Sequence, residues 1–187
     1  MSGALRRLLD HANDLKRLPR TGWLLAGVAN PESVADHSYL TTFLAMLLAD
    51  AINADYASNG LAGPLDVERV LRIALLHDLP ESILTDLPKR STALLGKTAK
   101  HAAERVAAER LLSEISGGSG YLSLWEEYAA ADSPEAKVVK DADRLEMVHQ
   151  ARRYMDFSCS DLSEFLDGHS WHYQASAEFF KTLAYIP

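Results

Sequence analysis

Hydrophobic residues recur along the chain with the period of about 3.6 residues that marks an amphipathic helix, and no segment shows the strict alternation of a half-buried strand. This pattern predicts a first helix over residues 5–15, ending near Pro19, and a loop over residues 20–31, where glycines and a proline interrupt it. Ser33 and Asp36 have the spacing of a helix cap. We therefore expect the next helix to begin there and to continue to about Ile52.

The same pattern continues to the other end of the chain. Asp66 is the expected cap of a helix that leads into His77 and Asp78, and a long alanine-rich helix is predicted over residues 92–115. Glycines at 117–120 predict a flexible break before a short helix near 122–130. Ser133 and Pro134 predict the start of a helix through Arg153, followed by a last helix over residues 171–185. The expected fold class is all-α.

We expect one domain over residues 1–187. Gly120 is a possible boundary, but neither half of the chain has enough predicted helices to enclose its apolar faces. The length suits a single domain with its own core. No apolar run approaches the roughly 20 residues that cross a bilayer, and the acidic residues near the start argue against a signal peptide.

The composition excludes some classes of function. Hydrophobic residues make up 48% of the 187, and the formal net charge is −7, which argues against binding to a nucleic acid polymer. Cys159 is the single cysteine, so no internal disulfide forms, and we expect a cytoplasmic protein. Cys159 has no nearby histidine that would make it a catalytic thiol, and the chain has no glycine-rich phosphate loop.

Polar side chains on apolar helix faces are the first sign of a functional site. His37, His77 and Asp143 each share a face with aliphatic residues three or four positions away. Burying such groups without partners costs about 1–3 kcal/mol each, and more for a charge. Ordinary hydrogen bonds in the core would satisfy any one of them. A divalent cation would satisfy all of them together, and imidazoles with carboxylates suit Mn, Co, Ni, Fe or Zn.

Two details of this set concern geometry. Adjacent helical residues such as His77 and Asp78 point about 100° apart, so both reach one ion only near a helix end or a distorted turn. Pro80, just downstream, favours such a distortion. Asp141 lies two residues before Asp143, and the residues alone leave either aspartate as the ligand.

Four segments in order carry a resemblance to a known family. Together with the pattern His37, His77-Asp78, Asp143, the sequence resembles the HD-domain metal-dependent phosphohydrolases, and within them the 5′-deoxynucleotidases and their HD-domain-containing-2 relatives. The resemblance spans about residues 15–153, and its segments are ESVADHSY (32–39), LLHDLPES (75–82), TDLP (85–88) and VVKDADRLEM (138–147). It implies an HD-type helical bundle with a metal site between central helices, a C-terminal helix packed on this core, and a homodimer.

The resemblance also implies roles for residues. The implied ligands of one divalent ion (Co, Mn, Mg, Ni, Fe or Zn) are His37, His77, Asp78 and Asp143, so that Asp143 is favoured over Asp141. Glu81 matches an acid that orients or activates the attacking water, acting with Asp78 in catalysis. The implied substrate contacts are Arg20, Trp23 and Asp86; Thr21 and Gly22 separate the first two, which are contiguous in the closest bacterial enzymes.

Several of these residues have simpler interpretations. Trp23 is equally consistent with a core anchor, and Asp86 with a turn residue before Pro88. Lys89 and Arg90 suggest a solvated turn more than a phosphate contact.

The expected activity is hydrolysis of deoxyribonucleoside 5′-monophosphates to deoxynucleoside and phosphate. The alternatives are an HD-type hydrolase of nucleoside triphosphates or alarmones, and a non-catalytic helical interaction protein. The intact set of four implied ligands and the presence of Glu81 argue against the non-catalytic alternative.

Overall fold

The computed structural model describes residues 2–157 and 161–184, and within them every regular element is helical. An isolated antiparallel bridge between Pro19 and Ser33 is the β-type pairing found there. The all-α prediction is therefore confirmed. The helices are α1 (Ser2–Asp14), α2 (Thr21–Leu25), α3 (Val34–Ala54), α4 (Val67–Leu76), α5 (Glu81–Leu84), α6 (Lys89–Leu95), α7 (Lys97–Leu112), α8 (Gly118–Ala130), α9 (Pro134–Phe157) and α10 (Gln174–Ala184), with a 3-10 turn at Ser163–Phe165.

The predicted helix starts are made by side-chain caps. Ser33 Oγ accepts the N–H of Asp36 at 3.1 Å, and the Asp36 carboxylate accepts the N–H of Ser33 at 2.9 Å, which closes a reciprocal capping box before α3. Asp66 accepts the N–H of Arg69 at 3.1 Å before α4. Ser133 Oγ accepts the N–H of Ala136 at 3.0 Å at the start of α9. These local signals were sufficient to locate three helix starts.

Two glycines account for the main errors in the predicted boundaries. The single helix expected over residues 92–115 is two helices, because Gly96 has φ +85° and ends α6. The glycine break expected before residue 122 is shorter than predicted, because α8 already begins at Gly118. A Cβ on Gly118 would lie 1.8 Å from the carbonyl oxygen of Leu112, so this close approach requires glycine.

The remaining boundary differences are smaller. The first helix ends at Asp14, and the predicted loop over 20–31 contains the short helix α2. The last helix begins at Gln174, because residues 171–173 are not helical. Its expected end at Tyr185 lies outside the described residues, as does Cys159.

The chain divides into two compact units, each built from two separated segments. The first unit comprises residues 1–38 and 75–130. In it α7 packs against α1, α5, α6 and α8, and α1 also contacts α5. Its buried apolar residues include Val34, Leu111, Leu112 and Trp125. This unit contains most of the residues with predicted roles in the site.

The second unit comprises residues 39–74 and 131–187. Helix α9 packs against α10 and against the 3-10 turn. Asn53 closes the connection before α4, since its amide accepts the N–H of Leu65 at 2.7 Å and donates to the carbonyl of that residue at 3.2 Å. Asn59 accepts the N–H of Ala175 at 3.0 Å. The prediction of a single domain stays a prediction.

None of the helices within residues 2–157 and 161–184 combines the length and the apolar character of a transmembrane span.

Candidate metal centre

Three predicted ligand atoms converge on one point in the first unit. His37 Nε2 lies 3.4 Å from His77 Nε2, and Asp78 Oδ2 lies 3.5 Å and 3.2 Å from these two nitrogens, respectively. Both histidine side chains are fully buried, and 14% of the Asp78 side chain is exposed. His37 points inward, as its helical face predicts. The sequence pattern thus identified three side chains that the fold brings together.

His77 and Asp78 reach the same point because α4 ends just before them. The helix ends at Leu76, and the following residues form a turn in which Leu79 donates its N–H to the carbonyl of Leu76 at 3.2 Å. Glu81 in turn donates to the carbonyl of Asp78 at 3.0 Å. These tighter i to i+3 bonds replace the α-helical ladder. The expected helix end is therefore present where the two adjacent side chains need it.

The donor set fits a divalent cation. Bonds of about 2.1 Å at angles between octahedral and tetrahedral would separate neighbouring ligand atoms by about 3–3.4 Å, close to the spacing of these three atoms. Two buried imidazole nitrogens and a carboxylate oxygen form a mixed nitrogen and oxygen set that suits a divalent metal ion. Burial alone raises the pKa of Asp78, but the opposing effects of His77, His37 and Arg20 prevail and hold this pKa well below its ordinary value.

Asp143, the fourth predicted ligand, lies on α9 in the second unit and is half-buried. Its role as a ligand stays a prediction. Asp141, the alternative, is fully buried, and its two carboxylate oxygens accept hydrogen bonds from groups near the start of α10. These bonds favour a structural role for Asp141.

Glu81 begins helix α5 and is 7% exposed. Within the described part of the chain, its Oε2 atom has no hydrogen-bond partner. Burial, followed by the negative charge of Asp78, raises the pKa of Glu81 well above its ordinary value, while Arg20 acts in the opposite direction. A buried carboxylate with an unpartnered oxygen and a raised pKa has the properties of a general base.

Arg20 is placed beside the three converging side chains by the bridge of Pro19 with Ser33. Its Nη1 atom lies 3.4 Å from Asp78 Oδ2 and 3.5 Å from Asp86 Oδ1. Only 18% of the Arg20 side chain is exposed. The other Asp86 oxygen accepts the N–H of Thr21 at 2.5 Å, at the start of α2. Asp86 thus holds both the arginine and the helix that follows it.

Trp23 is 3% exposed, and its indole Nε1 donates to Glu32 Oε1 at 2.8 Å. This arrangement matches the core-anchor interpretation, and a contact of Trp23 with substrate stays a prediction. Lys89 and Arg90 are exposed at the start of α6, as a solvated turn requires.

Sequence reasoning missed an aromatic group next to His77. The indole of Trp125 donates to the backbone carbonyl of His77 at 3.2 Å, and the Tyr128 ring meets the His77 ring edge-to-face at a centroid distance of 5.2 Å. His101 stacks on Trp125 at a centroid distance of 5.7 Å. Helical spacing signals that Trp125 and Tyr128 share a face of α8, but it does not indicate what that face meets.

Comparison with known proteins decides the family. The model of the HD domain matches residues 12–167. This chain belongs to the HD-domain family. HD domains are metal-dependent, and the cluster of His37, His77 and Asp78 has the chemistry of a metal site.

Among the relatives, the chain is 39% identical over 159 residues to the 5′-deoxynucleotidase HDDC2 of Mus musculus, covering 83% of this chain and 72% of that protein. It is 37% identical over 142 residues to the 5′-deoxynucleotidase HDDC2 of Danio rerio. This match covers 75% of this chain but only 64% of that protein. A solved structure of a conserved hypothetical protein from Pyrococcus furiosus has a TM-score of 0.74 at 43% identity, covering 85% of this chain and 84% of that one.

Proposed function

We propose that this HD-domain protein is a metal-dependent phosphomonoesterase, a 5′-deoxynucleotidase that hydrolyses deoxyribonucleoside 5′-monophosphates to deoxynucleoside and phosphate. The observation that carries the proposal is the convergence of His37 Nε2, His77 Nε2 and Asp78 Oδ2 within 3.5 Å of one another. Buried Glu81 and Arg20 belong to the same unit. The substrate class is supported by the names of the relatives from mouse and zebrafish.

The proposed ligands of a single divalent ion are His37, His77, Asp78 and Asp143. Mixed nitrogen and oxygen ligands accept Co, Mn, Mg, Ni, Fe or Zn, and the protein atoms alone do not select among them. A bound ion of this kind acidifies a water molecule and polarises a phosphoryl oxygen. Proton transfer and phosphate binding are then carried out by side chains of the protein.

Glu81 has the properties of the residue that orients the attacking water and takes up its proton. Its unpartnered oxygen is available to accept a hydrogen bond, and its raised pKa makes it a stronger base than an ordinary glutamate. The adjacent turn places Glu81 only three residues after Asp78. We therefore assign the catalytic proton transfer to Glu81.

Arg20 is the proposed phosphate contact. Its guanidinium presents several N–H donors in one plane, which suits two oxygens of a phosphate. Its Nη1 atom lies 3.4 Å from Asp78 and 3.5 Å from Asp86, and these carboxylates place the guanidinium beside the proposed metal ligands, where a phosphate would lie. Asp86 then affects substrate binding mainly by holding Arg20 in place. Trp23 affects it by packing helix α2, which follows Arg20.

A homodimer is the proposed assembly. Helix α3 exposes Tyr39, Phe43 and Leu47, by 74%, 45% and 39%, and their spacing of four residues aligns them along one stripe of the helix. A second copy covering this stripe would remove apolar surface from water. Analytical ultracentrifugation of wild type and Phe43→Glu tests this assembly. We expect wild type to be a dimer and Phe43→Glu to be a monomer, and a monomeric wild type would contradict the assembly.

We also propose a single domain and a cytoplasmic location.

The experiment for the activity is phosphate release from a panel of nucleotides after removal of metal by chelation. The panel pairs deoxyribose with ribose 5′-monophosphates and adds 3′-monophosphates, triphosphates and alarmones, each with Mg²⁺, Mn²⁺, Co²⁺ or Zn²⁺. We expect release from 5′-deoxynucleoside monophosphates that depends on added metal. Glu81→Gln should reduce kcat by about 100-fold while retaining the metal, as loss of a general base does.

Other outcomes would separate the alternatives. Turnover of triphosphates or alarmones alone would leave the metal site in place and contradict the proposed substrate. No turnover of any nucleotide, with no metal retained, would favour a non-catalytic interaction protein.

A further inference from the structure

The backbone carbonyl of His77 lies where a helix normally leaves acceptors unsatisfied. Helix α4 ends at Leu76, and the last carbonyls of a helix lack the usual partners four residues on. The carbonyls of Leu76 and Asp78 accept backbone N–H groups within the turn. The carbonyl of His77, between them, accepts the indole N–H of Trp125 at 3.2 Å. A side chain from α8 thus takes over a bond that the end of α4 cannot supply.

This bond constrains the two adjacent side chains that converge on His37. The orientation of the peptide between His77 and Asp78 determines where both side chains point, and that peptide contains the carbonyl held by Trp125. Tyr128, three residues further along α8, contacts the imidazole of His77 edge-to-face. One face of α8 therefore supports the backbone and the ring of the same residue.

Trp125 is itself held in place from its other side. His101 on α7 stacks on its ring with an angle of 10° between planes and 5.7 Å between centroids. His101 is exposed, whereas Trp125 is 3% exposed. The chain of contacts runs from His101 through Trp125 to the carbonyl of His77.

We propose that Trp125 is a positioning residue of the metal centre: its indole N–H fixes the carbonyl of His77 so that His77 and Asp78 face the same ion. The proposal rests on the ligand roles proposed above for these two residues. It assigns to Trp125 no contact with substrate or metal. Partners that orient metal ligands from outside the coordination shell generally contribute about 10- to 100-fold in metal affinity or activity.

The test compares Co²⁺ binding by metal-free wild type, Trp125→Phe and the control Trp171→Phe. Trp125→Phe retains an aromatic ring for His101 but removes the N–H, and Trp171 packs against His169 and Phe180 in the second unit. We expect Trp125→Phe to bind Co²⁺ about tenfold more weakly, with a changed visible absorption, and the control to match wild type. Excess Co²⁺ should restore most of kcat with KM unchanged.

A purely structural role gives a different result, namely a lower melting temperature of the metal-free protein with unchanged Co²⁺ affinity, and this would overturn the proposal. His101→Ala is a second variant at an exposed position, and it should weaken Co²⁺ binding to a smaller degree. If Trp125→Phe does not fold, His101→Ala decides, and an unchanged affinity there counts against the proposal. Failure of wild type to bind Co²⁺ would instead contradict the metal centre itself.

Discussion

Two carboxylates of this protein, Asp78 and Asp141, both lie next to histidines and have opposite surroundings. Asp78 Oδ2 faces the Nε2 atoms of His37 and His77 at 3.5 Å and 3.2 Å. Asp141 is fully buried in the second unit and accepts the backbone N–H of His172 at 2.9 Å, with the ring Nδ1 of His172 2.7 Å from its other oxygen. A sequence search for His and Asp would treat the two alike.

The difference lies in the supply of hydrogen-bond donors. Asp141 also accepts the N–H of Tyr173 and an N–H of Arg144, both at 3.3 Å, and His172 and Tyr173 directly precede α10. Its charge is thus balanced by backbone N–H groups just before α10 and by the Arg144 side chain on α9. Around Asp78, by contrast, two buried imidazole nitrogens converge with its Oδ2 atom, and Arg20 lies beside them at 3.4 Å. A carboxylate saturated by N–H donors stabilises the fold, whereas one grouped with two buried imidazoles at this spacing fits a cation.

The largest expected effect is the loss of activity in Asp78→Asn. An amide is a poor ligand for a divalent ion in this set and removes the negative charge, so we predict a decrease in kcat/KM of at least about 1,000-fold, or roughly 4 kcal/mol of transition-state stabilisation. The metal-free protein should remain folded, with a lower melting temperature because the contacts of the Asp78 charge with Arg20 and His77 are lost. Phosphate release and thermal unfolding measure the two quantities, and a fully active Asp78→Asn would refute the assignment.

Asp141→Ala should show the opposite pattern. Removing the carboxylate leaves buried N–H groups without acceptors, so we predict a decrease of about 3 kcal/mol in the free energy of unfolding. Denaturant unfolding of the metal-free protein measures it. Metal affinity per folded molecule should stay close to that of wild type. A stable Asp141→Ala that no longer binds metal would reverse the comparison between the two aspartates.

The site unit also contains backbone strain, which predicts a third, smaller effect. Thr85, between α5 and Asp86, has φ 69° and ψ 163°, a conformation that favours glycine. Thr85 is exposed, so its side chain is not needed for packing. We predict that Thr85→Gly raises the free energy of unfolding by about 1 kcal/mol, measured by denaturant titration. Thr85→Ala, which keeps a Cβ, is the matched control and should give no such gain.

The smallest effect appears only at alkaline pH and concerns the region of Asp141. Burial, followed by the charges of Asp141 and Glu135, raises the pKa of Tyr173 from its ordinary value of 10.0 to about 12. Because the pKa of Tyr173 is raised in the folded state, its contribution to the free energy of unfolding is fully present below pH 10. This contribution is lost as the pH rises toward 12. Tyr173→Phe should remove this part of the pH dependence of unfolding. An unchanged slope between pH 10 and 12 would contradict it.

Local signals explain which parts of the fold were predictable. The helical period and the caps at Ser33, Asp66 and Ser133 depend on neighbouring residues, and the structure confirms them. Gly96 was misjudged because a helix tolerates an isolated glycine at a cost of only about 1 kcal/mol. Gly118 begins α8 because of its close approach to the backbone of Leu112, and no pattern along the chain reveals that approach.

The site was predictable to a similar extent. Periodicity placed His37 and His77 inward, while the roles of Glu81 and Arg20 came only from resemblance to a family. Trp125 and His172 were not identified, because their partners lie 48 and 31 residues away in the chain. Such pairings depend on how helices pack, which a helical period does not specify.

The most direct test of the metal centre is the metal content of three proteins at equilibrium. Wild type, Asp78→Asn and Asp141→Asn would be freed of metal, dialysed against Mn²⁺ near neutral pH, and analysed for bound metal per folded chain. Binding in wild type and in Asp141→Asn, with its loss in Asp78→Asn, is the predicted result. Retention of the metal by Asp78→Asn, or its loss from folded Asp141→Asn alone, would contradict a metal centre built on His37, His77 and Asp78.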